Sequence, residues 1–417
     1  MPRLLIGLSL GYFLVMLDTT IVTVALPALS PDLSDQQWIS NGYTLTFAAF
    51  LLTAGAWSDR FGARRVFFTG LISFAALSLL SALSVSAPML IALRAFSGGA
   101  GALLVPSSLS LIAVAYPAPA SRARAMGVWA ALSGTGLVAG PLLGGLLTET
   151  FGWRAIFLVN VPVALIALAL SVMAPATPAS PRRTDLIGQL SAIVALSTLT
   201  YALVEHKWWM LAPSALAAAA FTASQRRPQA MLPRRLLSRN LLAGVIVNFG
   251  LSGVLFVLSL YFQETRGLSP SATGLAFLPL TIPTAFNPIF TGRLVARTGP
   301  RTPATSGFIL MSSGTLIQAF APALSVVALA LLGFGVSLVI PSLLTAVIGA
   351  APRELAGMAG GALNASRQTG AVLGVAILGA LAPTGLALPV AAVVLLIGAV
   401  MVARQPRKAA ANRVPRS

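Results

Sequence analysis

Cysteine is absent from the 417 residues, and histidine occurs once, at His206. The first absence excludes a disulfide framework and thiolate-held metals. The second leaves no histidine pair for a metal and no Ser-His-Asp set beyond one imidazole. Charge is also scarce. Only 9% of residues are charged, with 9 Asp and Glu against 27 Lys and Arg. So few charged side chains cannot cover a soluble chain of this length. No GxxxxGK[ST] loop occurs to cradle nucleotide phosphates, which argues against an ATP-driven pump. Nothing resembles an ion-selectivity filter. A membrane enzyme is therefore poorly supported, and a channel hardly better.

Hydrophobic residues make up 57% of the chain, and that excess must face lipid. Runs long enough to cross the hydrocarbon follow one another. We draw them at about 4–27, 40–57, 66–86, 88–115, 126–148, 154–174, 186–204, 208–224, 240–263, 271–291, 303–321, 324–349, 355–381 and 386–403. The first run, Leu4 to Pro27, is too long for a signal-peptide core and reads as a transmembrane helix. With the N-terminus in the cytoplasm, all basic residues except Arg94, Arg154, Lys207, Arg266 and Arg367 fall on the cytoplasmic side. That asymmetry predicts both termini in the cytoplasm of a multi-pass inner-membrane protein. The net charge of +18 thus reads as orientation, and nucleic acid is not an expected partner.

Two short stretches recur at nearly the same spacing. Gly55-Ala56-Trp57-Ser58-Asp59-Arg60-Phe61-Gly62-Ala63-Arg64-Arg65 returns as Gly292-Arg293-Leu294-Val295-Ala296-Arg297-Thr298-Gly299-Pro300-Arg301. Leu103-Leu104-Val105-Pro106-Ser107 returns as Leu338-Val339-Ile340-Pro341-Ser342. Two membrane halves of like design predict a transporter that rocks one half against the other. The spacing leaves room for two more segments than paired six-helix halves need. We therefore expect an all-α membrane fold of fourteen helices: a half at 1–174, an inserted hairpin and basic linker at 175–239, a half at 240–404, and a basic tail at 405–417. The linker at 225–239 reads as a surface touching anionic headgroups.

Asp18 is the only carboxylate deep in an apolar run. Burying its charge is costly, so it can exchange a proton or meet a cation, the alternative being a permanently paired structural Asp. Arg94, in Leu93-Arg94-Ala95-Phe96-Ser97-Gly98, needs a partner or a wet cavity unless it snorkels. Arg367 sits in the next-to-last run, where structural pairing is expected. Small residues at Gly134, Gly136, Gly140, Gly144 and Gly145 permit close helix approach, and Pro141 removes a backbone donor.

These stretches resemble the major facilitator superfamily, and more narrowly its fourteen-helix drug:proton antiporter branch. The resemblance covers essentially the whole chain. It rests on Asp18-Thr19 with Ala25-Leu26-Pro27, the Gly55–Arg65 loop, the Gly134–Gly145 run, Gly152-Trp153-Arg154-Ala155-Ile156-Phe157-Leu158-Val159-Asn160-Val161-Pro162, Tyr261-Phe262-Gln263, and Asn364-Ala365-Ser366-Arg367-Gln368-Thr369-Gly370. It implies proton coupling at Asp18, assisted by Arg94, although Ser97 stands where a glutamine is common. It implies a conformational latch formed by Gly55, Asp59, Arg60, Gly62, Arg64 and Arg65. Gly136, Gly140, Pro141, Gly144 and Gly145 would mark export. The second loop has Ala296 in place of Asp59, so the latch should depend on the first half.

Between the halves, Asn41, Tyr43, Asn248, Phe256, Asn287, Asn364 and Gln368 are the polar and aromatic candidates for a substrate cavity. No deep carboxylate occurs in the second half, which suits neutral or monovalent cationic compounds better than divalent ones. The expectation is an antiporter exporting hydrophobic drugs or antibiotics as a monomer, driven by the proton gradient without metal or cofactor. The alternatives are a dedicated exporter of one metabolite or self-made antibiotic, and an uptake symporter.

Overall fold

A computed structural model of the chain describes residues 2–177, 185–227, 232, 236, 238–351 and 356–405. Arg182, Arg183, Arg234, Arg235 and the tail beyond Gln405, assigned above to the cytoplasmic side, lie outside these residues. Among the described residues every regular element is helical. A helix satisfies its backbone N–H and C=O groups within one segment, which lipid demands.

The N-terminal group comprises α1 (Pro2–Leu29), α2 (Leu33–Phe61), α3 (Ala63–Ala82), α4 (Ala87–Ala115), α5 (Pro119–Phe151), α6 (Ala155–Leu158) and α7 (Asn160–Ser171). A hairpin of α8 (Leu186–Val204) and α9 (Leu211–Ser224) follows. The C-terminal group comprises α10 (Arg239–Leu260), α11 (Pro270–Ala276), α12 (Leu278–Phe286), α13 (Pro288–Thr298), α14 (Arg301–Phe320), α15 (Ser325–Ala350), α16 (Ala356–Leu381) and α17 (Ala387–Ala403). Among the described residues, eight helical stretches are long and apolar enough to cross a membrane, and Ala155–Ser171 and Ala387–Ala403 are shorter apolar helices. The chain is a multi-pass membrane protein.

Local chemistry explains where the helices depart from the apolar runs. α2 starts ahead of its run because Asp32 caps it, accepting the Ser34 N–H at 2.8 Å. The run 154–174 divides into α6 and α7 because Pro162 cannot donate to the carbonyl of Leu158, the last residue of α6. Pro279 and Pro288 similarly divide the run 271–291 into α11, α12 and α13, while Pro283 lies within α12. α10 continues through a wide turn at Tyr261–Thr265, where the Arg266 N–H reaches the Tyr261 carbonyl at 3.0 Å. Gly62 between α2 and α3 and Gly299 between α13 and α14 have φ of 87° and 76°, which a side chain would strain. The two copies of the Gly55–Arg65 stretch therefore share a positive-φ glycine turn.

α1 packs chiefly on α5, α10 on α16, and α14 on α15 and α17. The two groups meet where α2 lies on α16 and where α5 lies on α11 and α12. α8 rests against both α2 and α16. One apolar core has all its buried residues in the N-terminal group, among them Val15, Tyr43, Phe47, Phe67 and Trp129, with Ala365 of α16 packed against it. The larger core joins the C-terminal group to Ile21, Val24 and Leu26 late in α1, and to Ile39, Leu90 and Phe157. The groups thus share a core at the end of the bundle opposite the start of α1, while toward that start the N-terminal group keeps its own.

Candidate functional site

Asp18 lies midway along α1 with 1% exposure, and Arg94 on α4 has 2%. The two form a buried ion pair between Asp18 Oδ2 and Arg94 Nη1. The other carboxylate oxygen, Oδ1, accepts an N–H from Asn160 Nδ2 at 3.0 Å. Arg94 Nε donates to the Ile39 carbonyl at 3.3 Å. Its guanidinium lies 4.4 Å from the centre of the Tyr43 ring and 5.9 Å from that of Phe157. α1, α2, α4 and α7 each supply part of this cluster. Removing one partner of such a pair leaves an uncompensated buried charge, which is far costlier than losing both. The arginine is therefore paired, and snorkelling does not describe it.

Asn41 is also buried, and neither of its amide atoms meets a protein partner among the described residues. Asn160 Oδ1 likewise has none. Asn160 stands in the sequence run quoted above, yet its bond to Asp18 was not foreseen. The available signal was an amide in an apolar stretch two residues before Pro162, at a helix break.

A second polar cluster lies in the C-terminal group. Arg367 on α16 donates through Nε to Asn248 Oδ1 at 3.2 Å and through Nη1 to Asn364 Oδ1 at 3.1 Å. Structural pairing was expected of Arg367, but its partners are neutral amides, and among the described residues it forms no ion pair. Tyr12 stacks on Trp129 of α5, with ring centres 4.5 Å apart and planes 18° from parallel.

The remaining cavity candidates do not converge. Tyr43 and Asn41 belong with the Asp18 cluster, whereas Asn248 and Asn364 belong with Arg367. Phe256 is packed in the larger core. Gln368 is buried on α16. Asn287 donates to Ser337 Oγ at 2.6 Å and lines a cavity of about 450 Å³ with Phe290, Arg293 and Arg297. An apolar cavity of about 310 Å³ lies among α2, α8, α9, α10 and α16, lined in part by Leu52, Phe221 and Thr369.

In the Gly55–Arg65 loop, the Ala63 N–H donates to Thr177 Oγ1 at 2.6 Å and Arg64 Nη2 to the Val172 carbonyl at 3.0 Å. These bonds tie the loop to the end of its own group. On α5, a Cβ at Gly136, Gly140 or Gly144 would collide with α1, and one at Gly145 with the backbone of Pro270 beside α11. One helix thus packs closely within its group and across to the other. Further cross-group bonds cluster at the same end. Gln37 Nε2 donates to the Val375 carbonyl at 3.0 Å, Gln263 Nε2 to the Val24 carbonyl at 2.9 Å, and the Ser271 N–H to Glu149 Oε2 at 3.0 Å.

Two helical groups close on one another at one end of a membrane bundle with buried charges inside, and the family match makes the protein a membrane transporter, not an enzyme. The chain belongs to the Major Facilitator Superfamily, whose family description matches residues 8–375 and 241–416. It is 35% identical over 405 residues to the tetracenomycin C resistance and export protein of Streptomyces glaucescens, covering 90% of this chain and 75% of that one. It is 34% identical over 400 residues to the multidrug resistance protein Stp of Mycobacterium tuberculosis, covering 90% and 74%. Its fold is similar to a crystal structure of a POT family transporter in complex with a thioalcohol conjugated peptide. That match has a TM-score of 0.73 and 13% identity, over 96% of this chain and 94% of the other.

Proposed function

We propose that the protein is a proton-coupled antiporter of the inner membrane that exports hydrophobic compounds, neutral or carrying one positive charge. The observation that carries this reading is the buried Asp18–Arg94 pair with Asn160 on the second carboxylate oxygen. A proton arriving at Asp18 removes the charge that Arg94 is paired with, so the ion pair cannot persist in the same packing. Protonation therefore biases the equilibrium between two conformations, and its reversal biases it back. One titrating carboxylate gives one proton per cycle as the simplest stoichiometry. The gradient then needs no metal or cofactor, and a single chain completes the path.

The chain would cross the membrane fourteen times, counting α6 with α7 and α11 through α13 as single crossings, with both termini cytoplasmic. Residues 1–174 and 240–404 would be pseudo-symmetric halves. Support comes from the shared turn at Gly62 and Gly299 and from the parallel packing of α1 on α5 and α10 on α16. In that orientation the fused core and the bonds of Gln37, Gln263 and Glu149 close the outer end. The conformation is then the one open to the cytoplasm. Substrate would bind between the halves, near Asn41, Tyr43, Asn248, Asn364 and Gln368.

The resistance and export names of the two relatives support export over uptake. They leave two ranges open, since one is named for a single antibiotic and the other for many drugs. The test is accumulation of ethidium, rhodamine 6G and a panel of antibiotics in inverted vesicles. Accumulation abolished by an uncoupler while ATP is maintained supports the reading. Accumulation that survives the uncoupler overturns it.

A further inference from the structure

The inserted hairpin supplies nothing to the Asp18 cluster, yet it is tied to the N-terminal group at both ends. Glu205, at the end of α8, accepts from Ser34 Oγ at 2.7 Å and from Trp38 Nε1 at 2.8 Å, both on α2. In the first turn of α8, buried Gln189 accepts from Thr53 Oγ1, also on α2. A helix bonded to its neighbour at both ends moves with that neighbour. α8 also rests on α16 of the C-terminal group, and the apolar cavity of about 310 Å³ lies there.

The walls of that cavity come from both sides of the seam. Leu52 of α2, Ala195 of α8 and Phe221 of α9 line one side, and Val245 of α10 with Ser366 of α16 line the other. Seven of its fourteen lining residues are alanines, whose small side chains leave the space open. Packed interiors leave few voids larger than a water molecule, and the lining of a void loses contacts that an occupant restores. The volume falls at the lower end of the range of small-molecule sites, about 300–1,000 Å³. No charged side chain lines it, so an ionic occupant would lack a counter-charge. Its polar groups are two hydroxyls: Thr369 Oγ1 donates to the Ala365 carbonyl at 3.0 Å, and Ser366 brings the other. A rigid neutral ring compound with one hydrogen-bonding group suits this lining. A flexible acyl tail would lose more freedom on entering and has nothing to offer a hydroxyl.

We propose that this cavity is a second small-molecule site, apart from the Asp18 cluster, for rigid uncharged apolar compounds, and that filling it slows transport. Rocking one helical group against the other moves α2 and the hairpin relative to α10 and α16, so the cavity changes shape between conformations. A compound that fits the arrangement described here favours it over the other and hinders the return. The inhibition rests on the export reading above, whereas the binding does not.

The test has a binding arm and a transport arm. The full chain in proteoliposomes is photolabelled with the neutral probe (trifluoromethyl)(meta-iodophenyl)diazirine, and labelled peptides are mapped by mass spectrometry. The expected label on α8 and α16 saturates, and it falls about tenfold with unlabelled N-phenylnaphthylamine at about ten times its Kd, as competition for one site requires. Label on lipid-facing positions should not change. Ala192→Leu and Ala195→Leu, made separately, fill the cavity and should abolish the displaceable label. In inverted vesicles, N-phenylnaphthylamine should lower the maximal rate of ethidium accumulation and leave KM within about twofold, and both variants should resist it. Label that never saturates means ordinary contact with lipid tails and overturns the inference. Displaceable label that persists in both variants puts the site elsewhere and does so too. A raised KM at unchanged maximal rate would place the compound on the substrate path and overturn a separate site. Displaceable label without any effect on accumulation overturns the inhibitory role. A parent that labels as expected but accumulates no ethidium supports the site and counts against the export reading.

Discussion

The two buried arginines offer the most instructive comparison in the molecule. Arg94 is enclosed by α1, α2, α4 and α7, neutralised by Asp18, and covered by the Tyr43 ring. Arg367 is half-buried and held by two amides. A buried ion pair is a closed account whose protonation must disturb the packing. An arginine held by neutral amides retains its net charge. The same residue type therefore sits in two different electrostatic settings, according to whether a carboxylate is supplied with it.

That contrast can be broken by mutation. Arg94→Ala leaves Asp18 buried without its counter-charge and should destabilise the folded protein by about 3–5 kcal/mol. Thermal unfolding of purified protein should show the loss, with part of it recovered in the Asp18→Asn, Arg94→Ala double variant. An equal loss in single and double variants would argue against the ion pair as its source. Asn160→Leu removes one donor to a charged oxygen and should cost about 1.5–3 kcal/mol, seen by chemical denaturation. Arg367→Gln should shift stability by no more than about 1 kcal/mol, because losing bonds to two amides is offset by removing an unpaired charge. A loss matching that of Arg94→Ala would erase the contrast. The smallest effect is expected for Glu149→Ala, which breaks an exposed bond to the Ser271 N–H. Its unfolding should be nearly unchanged, and any effect should appear as faster opening of the closed end, read by hydrogen–deuterium exchange of the backbone at the start of α11.

Much of this was legible in the sequence because lipid makes polar residues conspicuous. Asp18 and Arg94 stood out as charges in apolar runs, and the structure brings them together. The Gly62 and Gly299 turns were likewise visible as spaced glycines. The partners of those residues were less legible. Asn160 and Asn248 look alike in sequence, each an amide in an apolar stretch, and only the packing of α7 on α1 and of α16 on α10 assigns one to a carboxylate and the other to an arginine. The cross-group bonds of Gln37 and Gln263 end on backbone carbonyls, which leave no trace in side-chain pattern. Helix ends shifted for a similar reason. Asp32 begins α2 ahead of its apolar run, since a cap outweighs several polar residues in the first turns.

The central claim is that Asp18 carries the coupling proton. It is tested most directly by proton-gradient-driven ethidium accumulation in inverted vesicles, comparing the parent with Asp18→Asn at equal expression. The account predicts accumulation by the parent and none above background in the variant. Equal accumulation by both would contradict it.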